Sequence, residues 1–133
     1  MAAHHPRVGK KADALFFLQT ARIDQGKNSR DKNRYELARY VVTYADSKTE
    51  AIPLYQDEDL ADFRQKTPQG LPSAALGWSR LYENSDQSAT AWVKQWNNPR
   101  PEVEITSLAL EYGKDRRGVP VLLAVTAAVN PAP

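Results

Sequence analysis

The 133-residue chain has the length of one domain, and its 41% hydrophobic and 26% charged residues are typical of a globular protein rather than a disordered or membrane protein. The absence of cysteine excludes disulfides and cysteine nucleophiles, and both histidines lie within the first five residues, which removes imidazole chemistry from the body of the domain. A net charge of +2 is too balanced to indicate nucleic-acid binding. The composition therefore favours a protein without catalytic activity over an enzyme.

The two ends of the chain differ in composition from its centre. Residues 1–11 contain no apolar segment of the kind found in a signal peptide and are interpreted as a flexible leader. Residues 128–133 are rich in alanine and proline, which predicts a flexible tail. Residues 12–127 are the predicted domain. No apolar run approaches the ~20 residues that a membrane helix needs, so no membrane partner is expected.

The first half of the domain carries strand patterns. Residues 14–19 form a short apolar run bounded by polar residues, which predicts a buried strand. Residues 36–55 alternate between apolar and polar positions around a turn at 46–48, which predicts a β-hairpin. Pro53 indicates that the returning strand lies at a sheet edge or carries a bulge.

The second half predicts more strands. Residues 56–72 lack a strand pattern, and residues 57–66 suit one or two helical turns that Thr67-Pro68 would end. Four further strands are predicted at residues 74–82, 88–96, 103–112 and 119–126, separated by polar loops. The predicted fold is all-β: a single-domain antiparallel β-sandwich or jelly roll of about seven or eight strands.

Three stretches together resemble a known kind of module. They are residues 14–20 (ALFFLQT), 39–46 (RYVVTYAD) and 94–101 (KQWNNPRP). They are similar to the galactose-binding-like β-sandwich (jelly-roll) accessory modules of secreted bacterial polysaccharide-related proteins, over about residues 14–127. The resemblance implies a jelly-roll accessory domain with a carbohydrate-binding role and an extracellular or periplasmic location. The motifs are turns and strands, so they specify the fold better than the ligand.

A sugar-binding sandwich needs an exposed aromatic ring for the apolar face of a pyranose and planar polar groups for its hydroxyls. Trp92 and Trp96 share one face of a predicted strand, about 13 Å apart. Small residues (Ala89, Ala91 and Val93) occupy the opposite face and look like core, so the tryptophan face is predicted to point outward. The alternative is that both tryptophans pack against a loop or the second sheet. The predicted hydrogen-bonding neighbours are Arg80, Tyr82, Asn98 and Arg100.

The sequence also makes predictions for the third tryptophan and for a cluster of aspartates. Trp78 lies in the middle of its predicted strand and is expected in the core. Asp57, Asp59 and Asp62 are candidates for a structural calcium site, although their spacing lacks the glycine of a calcium-binding loop. They are alternatively a solvated acidic loop, or part of a glycosidase acid/base pair whose second carboxylate would come from elsewhere in the chain. No other cofactor is expected.

These observations predict a non-catalytic carbohydrate-binding module whose partner is a polysaccharide or oligosaccharide, carried by or attached to a larger protein. The alternative is a protein-interaction or structural module that self-associates or docks on a partner domain. Enzymatic activity remains open as a third possibility. Nucleic acid is not expected as a partner, because the basic runs at 22–34 and 114–117 lack the interleaved aromatic residues that stack on bases.

Overall fold

A computed structural model describes residues 7–27 and 33–129. Nine strands lie in these residues and form two antiparallel sheets. The strands are β1 (Arg7–Lys10), β2 (Ala14–Ile23), β3 (Glu36–Tyr44), β4 (Thr49–Tyr55), β5 (Arg64–Gln65), β6 (Ala75–Leu81), β7 (Ser88–Asn97), β8 (Ile105–Tyr112) and β9 (Gly118–Ala128). The structure confirms the predicted all-β class and antiparallel sandwich, with nine strands instead of seven or eight.

The order of strands places two of them at opposite edges of the larger sheet. The smaller sheet has the order β1-β8-β3-β4, and in the larger sheet β7 and β9 flank β2. Val93 of β7 pairs with Leu18 of β2 on one side and with Ala75 of β6 on the other. β6 therefore lies across β7 from β2 and forms the edge opposite β9, while the short β5 continues the β2 side of β7.

The core lies between the two sheets and is built mainly from the alternate residues of the central strands β2 and β3. The rings of Phe17 and Tyr40 stack across the sandwich with their centroids 3.9 Å apart. The outward positions of β3, such as Arg39 and Thr43, are more accessible. This alternation is the pattern expected of strands that bury one face.

The predicted β-hairpin is confirmed. β3 and β4 pair in antiparallel fashion, and the turn between them contains Ser47 with a φ of 69°. Pro53 lies in β4, an edge strand, where the missing N–H of proline is tolerated. The four later strands also lie where the sequence predicts them, with ends that differ by up to two residues.

The predicted helical turns at residues 57–66 are wrong. This segment contains a turn, an isolated bridge between Ala21 and Asp62, and then β5. Its aspartates bind backbone N–H groups directly: Asp59 accepts from Tyr55 N at 2.9 Å, and Asp62 accepts from Ile23 N at 2.8 Å. Side chains that bind the backbone in this way compete with helix formation.

The sandwich also extends past the predicted domain ends. Residues 7–10, assigned to the leader, form β1 and pair with β8, and β9 reaches Ala128. The rest of the predicted leader (1–6) and most of the predicted tail (130–133) lie outside the described residues.

Candidate functional site

The predicted tryptophan platform on β7 does not face outward. Trp92 pairs with Gln19 of β2, and both side chains point into the sandwich, each only 1% exposed. The indole Nε1 of Trp92 donates to the carbonyl oxygen of Gln69 at 2.8 Å. Trp96 lies on the same face, is half-buried, and packs against the core. The prediction of an outward tryptophan face is therefore wrong, because the small residues of β7 occupy the outer face.

The inner face of β7 instead carries a polar network that sequence reasoning missed. The ammonium of Lys94 contacts Asp59 Oδ1 at 2.6 Å. Gln19 donates through Nε2 to the Asp59 carbonyl at 2.7 Å and accepts through Oε1 from the Tyr40 hydroxyl at 2.6 Å. Burial raises the pKa of Tyr40 well above its usual value, so this hydroxyl remains a donor. The network fixes the 56–62 loop to the sheet.

Asn98 and Arg100 belong to a structural corner. The Asn98 side chain is buried, accepts from the Tyr44 hydroxyl at 2.6 Å, and donates to the Ala12 carbonyl at 2.8 Å. Arg100 forms an ion pair with Asp46 in the hairpin turn, and its guanidinium lies 4.5 Å from the centroid of the Tyr44 ring. The hydrogen bond from Arg100 lowers the pKa of Asp46 to about 2. The polar groups of Asn98 are thus engaged within the fold.

The structure places an accessible aromatic surface on β6 and on Tyr82, the residue that follows it. Trp78 is 49% exposed and Tyr82 is 40% exposed, so the expectation that Trp78 lies in the core is wrong. Trp78 pairs with Ala91, and Arg80 pairs with Ala89, which puts both side chains on the outer face of the sheet. A shallow groove is lined by Trp78, Arg80, Tyr82 and Glu83, among others. We call Trp78, Arg80 and Tyr82 the β6 platform.

Gly77 sets the position of Trp78. The pairing of β6 with β7 shifts register between Leu76 and Trp78, which is the signature of a β-bulge. A Cβ atom at Gly77 would lie 2.7 Å from Val93 Cγ2 and 2.9 Å from Leu18 Cδ1. Glycine therefore allows β6 to lie close against these side chains while the bulge directs the next residue, Trp78, to the outer face.

A polar cleft adjoins the β6 platform at one end of the sandwich. We call it the end cleft; it has a volume of about 660 Å³, and Tyr82 lines both it and the groove at the platform. The other polar side chains that line it are Arg22, Gln25, Asp62, Arg64, Ser85 and Gln87. The cleft and the groove therefore adjoin at Tyr82.

Arg64 is held in a fixed position within the end cleft. Its Nε and Nη2 donate to the two carboxylate oxygens of Asp62 at 2.9 and 2.8 Å, and Nη2 also donates to the Ile23 carbonyl at 3.2 Å. Burial acts to raise the pKa of Asp62, but hydrogen bonds from Arg64 and from Ile23 N outweigh it and lower that pKa below its usual value. The ionised Asp62 thus orients a guanidinium that is itself half exposed.

The acidic candidates do not converge on a metal site. Asp59 contacts Lys94, Asp62 is bound by Arg64, and Asp57 lies in a turn with a φ of 63°. Within residues 7–27 and 33–129, no group of three or more His, Asp or Glu side chains is arranged to hold a metal ion. The same part of the chain contains no helix with the length and hydropathy needed to cross a bilayer.

Comparisons with known proteins identify no relative of this chain. The chain matches no protein-family model, no curated protein and no solved structure, so the resemblance to galactose-binding-like modules rests on the sequence motifs alone.

Proposed function

We propose that this domain is a non-catalytic module that binds a polysaccharide or oligosaccharide on the β6 platform. The observation that carries the proposal is the exposure of Trp78 and Tyr82 beside Arg80, next to the end cleft that Tyr82 also lines. The proposal keeps the ligand class and the extracellular or periplasmic setting implied by the sequence resemblance. It moves the stacking surface from β7 to β6.

The chemistry of the platform suits a sugar chain. An aromatic ring covers the apolar C–H face of a pyranose, and guanidinium and amide groups form paired hydrogen bonds with neighbouring hydroxyls. Trp78 and Tyr82 are four residues apart along an extended segment, about 13 Å. That spacing fits two sugar units of one chain. Arg80 lies between the two rings, and Arg64 and Gln87 supply further donors in the end cleft.

The distribution of carboxylates supports binding without hydrolysis. Among the described residues that line the platform and the cleft, the carboxylates are Glu83 and Asp62. Asp62 is occupied by Arg64 and by the backbone. A glycosidase requires two carboxyl groups facing each other across the scissile bond. This surface offers one such group rather than two.

The test is a glycan array screened with the full chain, followed by titration of any bound glycan with tryptophan fluorescence as the readout. We expect binding to a defined glycan with a spectral shift, and affinity at least about tenfold lower for Trp78→Ala and for Tyr82→Ala. Tyr112→Ala, on the smaller sheet, is the matched control and should bind as the wild type does. The proposal fails if folded wild-type protein binds neither neutral nor acidic glycans, or if Trp78→Ala binds with unchanged affinity.

A further inference from the structure

β9 presents an open strand edge. It pairs with β2 on one side along its whole length, and among the described residues no strand pairs with its other side. The backbone N–H and C=O groups on that side are available to a further strand. Leu123 is 54% exposed, and Val121 and Val129 are also exposed. The open edge is therefore flanked by apolar side chains.

The composition of this edge sets it apart from the others. β9 has the sequence GVPVLLAVTAA, with no charged residue. Edge strands in natural proteins usually carry charges or bulges that prevent pairing with another chain. In the described part of the chain, the other long edges do so: β1 has Arg7 and Lys10, β4 has Glu50, and β6 has Arg80 with the bulge at Gly77. β9 carries no charge, which distinguishes it from these edges. It does carry a bulge, because its pairing with β2 shifts register between Leu122 and Ala124 and leaves Leu123 out of the ladder.

We propose that β9 pairs with β9 of a second copy of this chain, antiparallel and about a two-fold axis, so that the two larger sheets become one. Pro120 has no N–H to offer, which places the paired segment after it, at residues 121–128. At about 3.4 Å per residue, this segment gives a shared edge of about 27 Å.

The charge distribution identifies a second copy as the occupant. A two-fold interface brings the same surface of both copies together, so a charged edge would meet like charges from its partner. β9 avoids this penalty because it carries no charge, whereas pairing of β1 or β6 with its own copy would concentrate arginine and lysine in the interface. Antiparallel pairing of residues 121–128 about the two-fold axis would place Val121 opposite Ala128 of the second copy and Leu123 opposite its Thr126, which covers part of these exposed side chains.

Sedimentation velocity of the full chain across a micromolar concentration range tests this pairing. We expect a wild-type dimer and a monomeric Leu123→Lys variant, with a dimer dissociation constant raised by about a hundredfold or more. Leu81→Lys is the matched control: Leu81 is 63% exposed at the opposite edge of the same sheet, and this variant should remain dimeric. Because Leu123 is exposed, Leu123→Lys should unfold cooperatively as a folded monomer, and its thermal midpoint should not depend on protein concentration as that of the dimeric wild type does.

Hydrogen exchange supplies a second readout that does not depend on any variant. The amides within residues 121–128 that face away from β2 should become more protected as the protein concentration rises, while the amides of β6 should not change. A monomeric wild type, an open series of larger oligomers, or loss of the dimer in Leu81→Lys but not in Leu123→Lys would overturn the proposal. Sugar binding by Leu123→Lys is measured in a separate glycan titration. The proposal of a β9 dimer, which does not depend on sugar binding, and the proposal of a sugar-binding platform are therefore tested independently.

Discussion

Lys94 and Asp59 form an ion pair inside the sandwich: Nζ lies 2.6 Å from Oδ1, and the two side chains are 14% and 5% exposed. Replacing Lys94 with alanine leaves the Asp59 carboxylate buried without its charged partner. We expect Lys94→Ala to lower the free energy of unfolding by about 3–5 kcal/mol, measured by urea denaturation.

The matched control for this pair is Lys66→Ala. Lys66 and Asp86 are 3.4 Å apart with both side chains exposed, and such pairs contribute less than about 1 kcal/mol. Equal losses in the two variants would show that the Lys94–Asp59 pair does not stabilise the fold.

The two tryptophans of neighbouring strands should respond differently to removal. Trp92→Ala leaves a cavity beneath β7 and deprives the Gln69 carbonyl of its donor, so we expect a loss of about 3–5 kcal/mol in the free energy of unfolding. Trp78→Ala removes a half-exposed ring and should cost less than about 2 kcal/mol. Thermal denaturation of both variants gives the comparison, and a larger loss for Trp78→Ala would contradict the assignment of faces.

The adjacent asparagines Asn97 and Asn98 form a second matched pair. Asn98→Ala removes the acceptor for the Tyr44 hydroxyl and for Arg100 N and the donor to the Ala12 carbonyl. Since these groups would be left unpaired at a buried site, we expect a loss of about 2–4 kcal/mol in the free energy of unfolding. Asn97 is exposed, and Asn97→Ala should change stability by less than about 0.5 kcal/mol. Similar losses of stability in Asn98→Ala and Asn97→Ala would contradict the structural role assigned to the Asn98 side chain.

The contribution of Asp62 to stability should depend on pH. Its pKa in the folded protein lies below the usual value of 3.8, so the folded state favours the ionised form. The resulting stability is fully present above about pH 4 and is lost as the pH falls through the lowered pKa. The free energy of unfolding of the wild type and of Asp62→Asn can be measured by urea denaturation from about pH 6 to about pH 2. We expect the difference between the two proteins to become smaller as the pH falls. If this difference in the free energy of unfolding is the same at every pH, ionisation of Asp62 does not contribute to stability.

The strands could be predicted because their signals are local. The hairpin of β3 and β4 follows from alternation on both sides of a polar turn, and Pro53 marks its edge. These features involve residues close together in the sequence, so no knowledge of the rest of the fold is needed.

The faces of β7 could not be predicted in this way. The contrast between small and large side chains along one strand does not say which side meets the second sheet. That side is decided by partners far along the chain, such as Gln19 opposite Trp92 and Asp59 beside Lys94. The exposure of Trp78 could not be predicted for the same reason. Trp78 is exposed because β6 is an edge strand, and the position of a strand within its sheet cannot be read from the sequence of that strand alone.

The positions of β6 and β9 at opposite edges of one sheet have a consequence for avidity. If two copies join through β9, the two β6 platforms come to lie at the far ends of the joined sheet, separated by about seven strand spacings of about 4.8 Å, or roughly 34 Å. Two modest sites held at a fixed separation bind a repeating polymer far more tightly than either does alone. If each platform binds sugar as proposed, such a pair would also bridge neighbouring polymer chains, which a single copy cannot do with one platform.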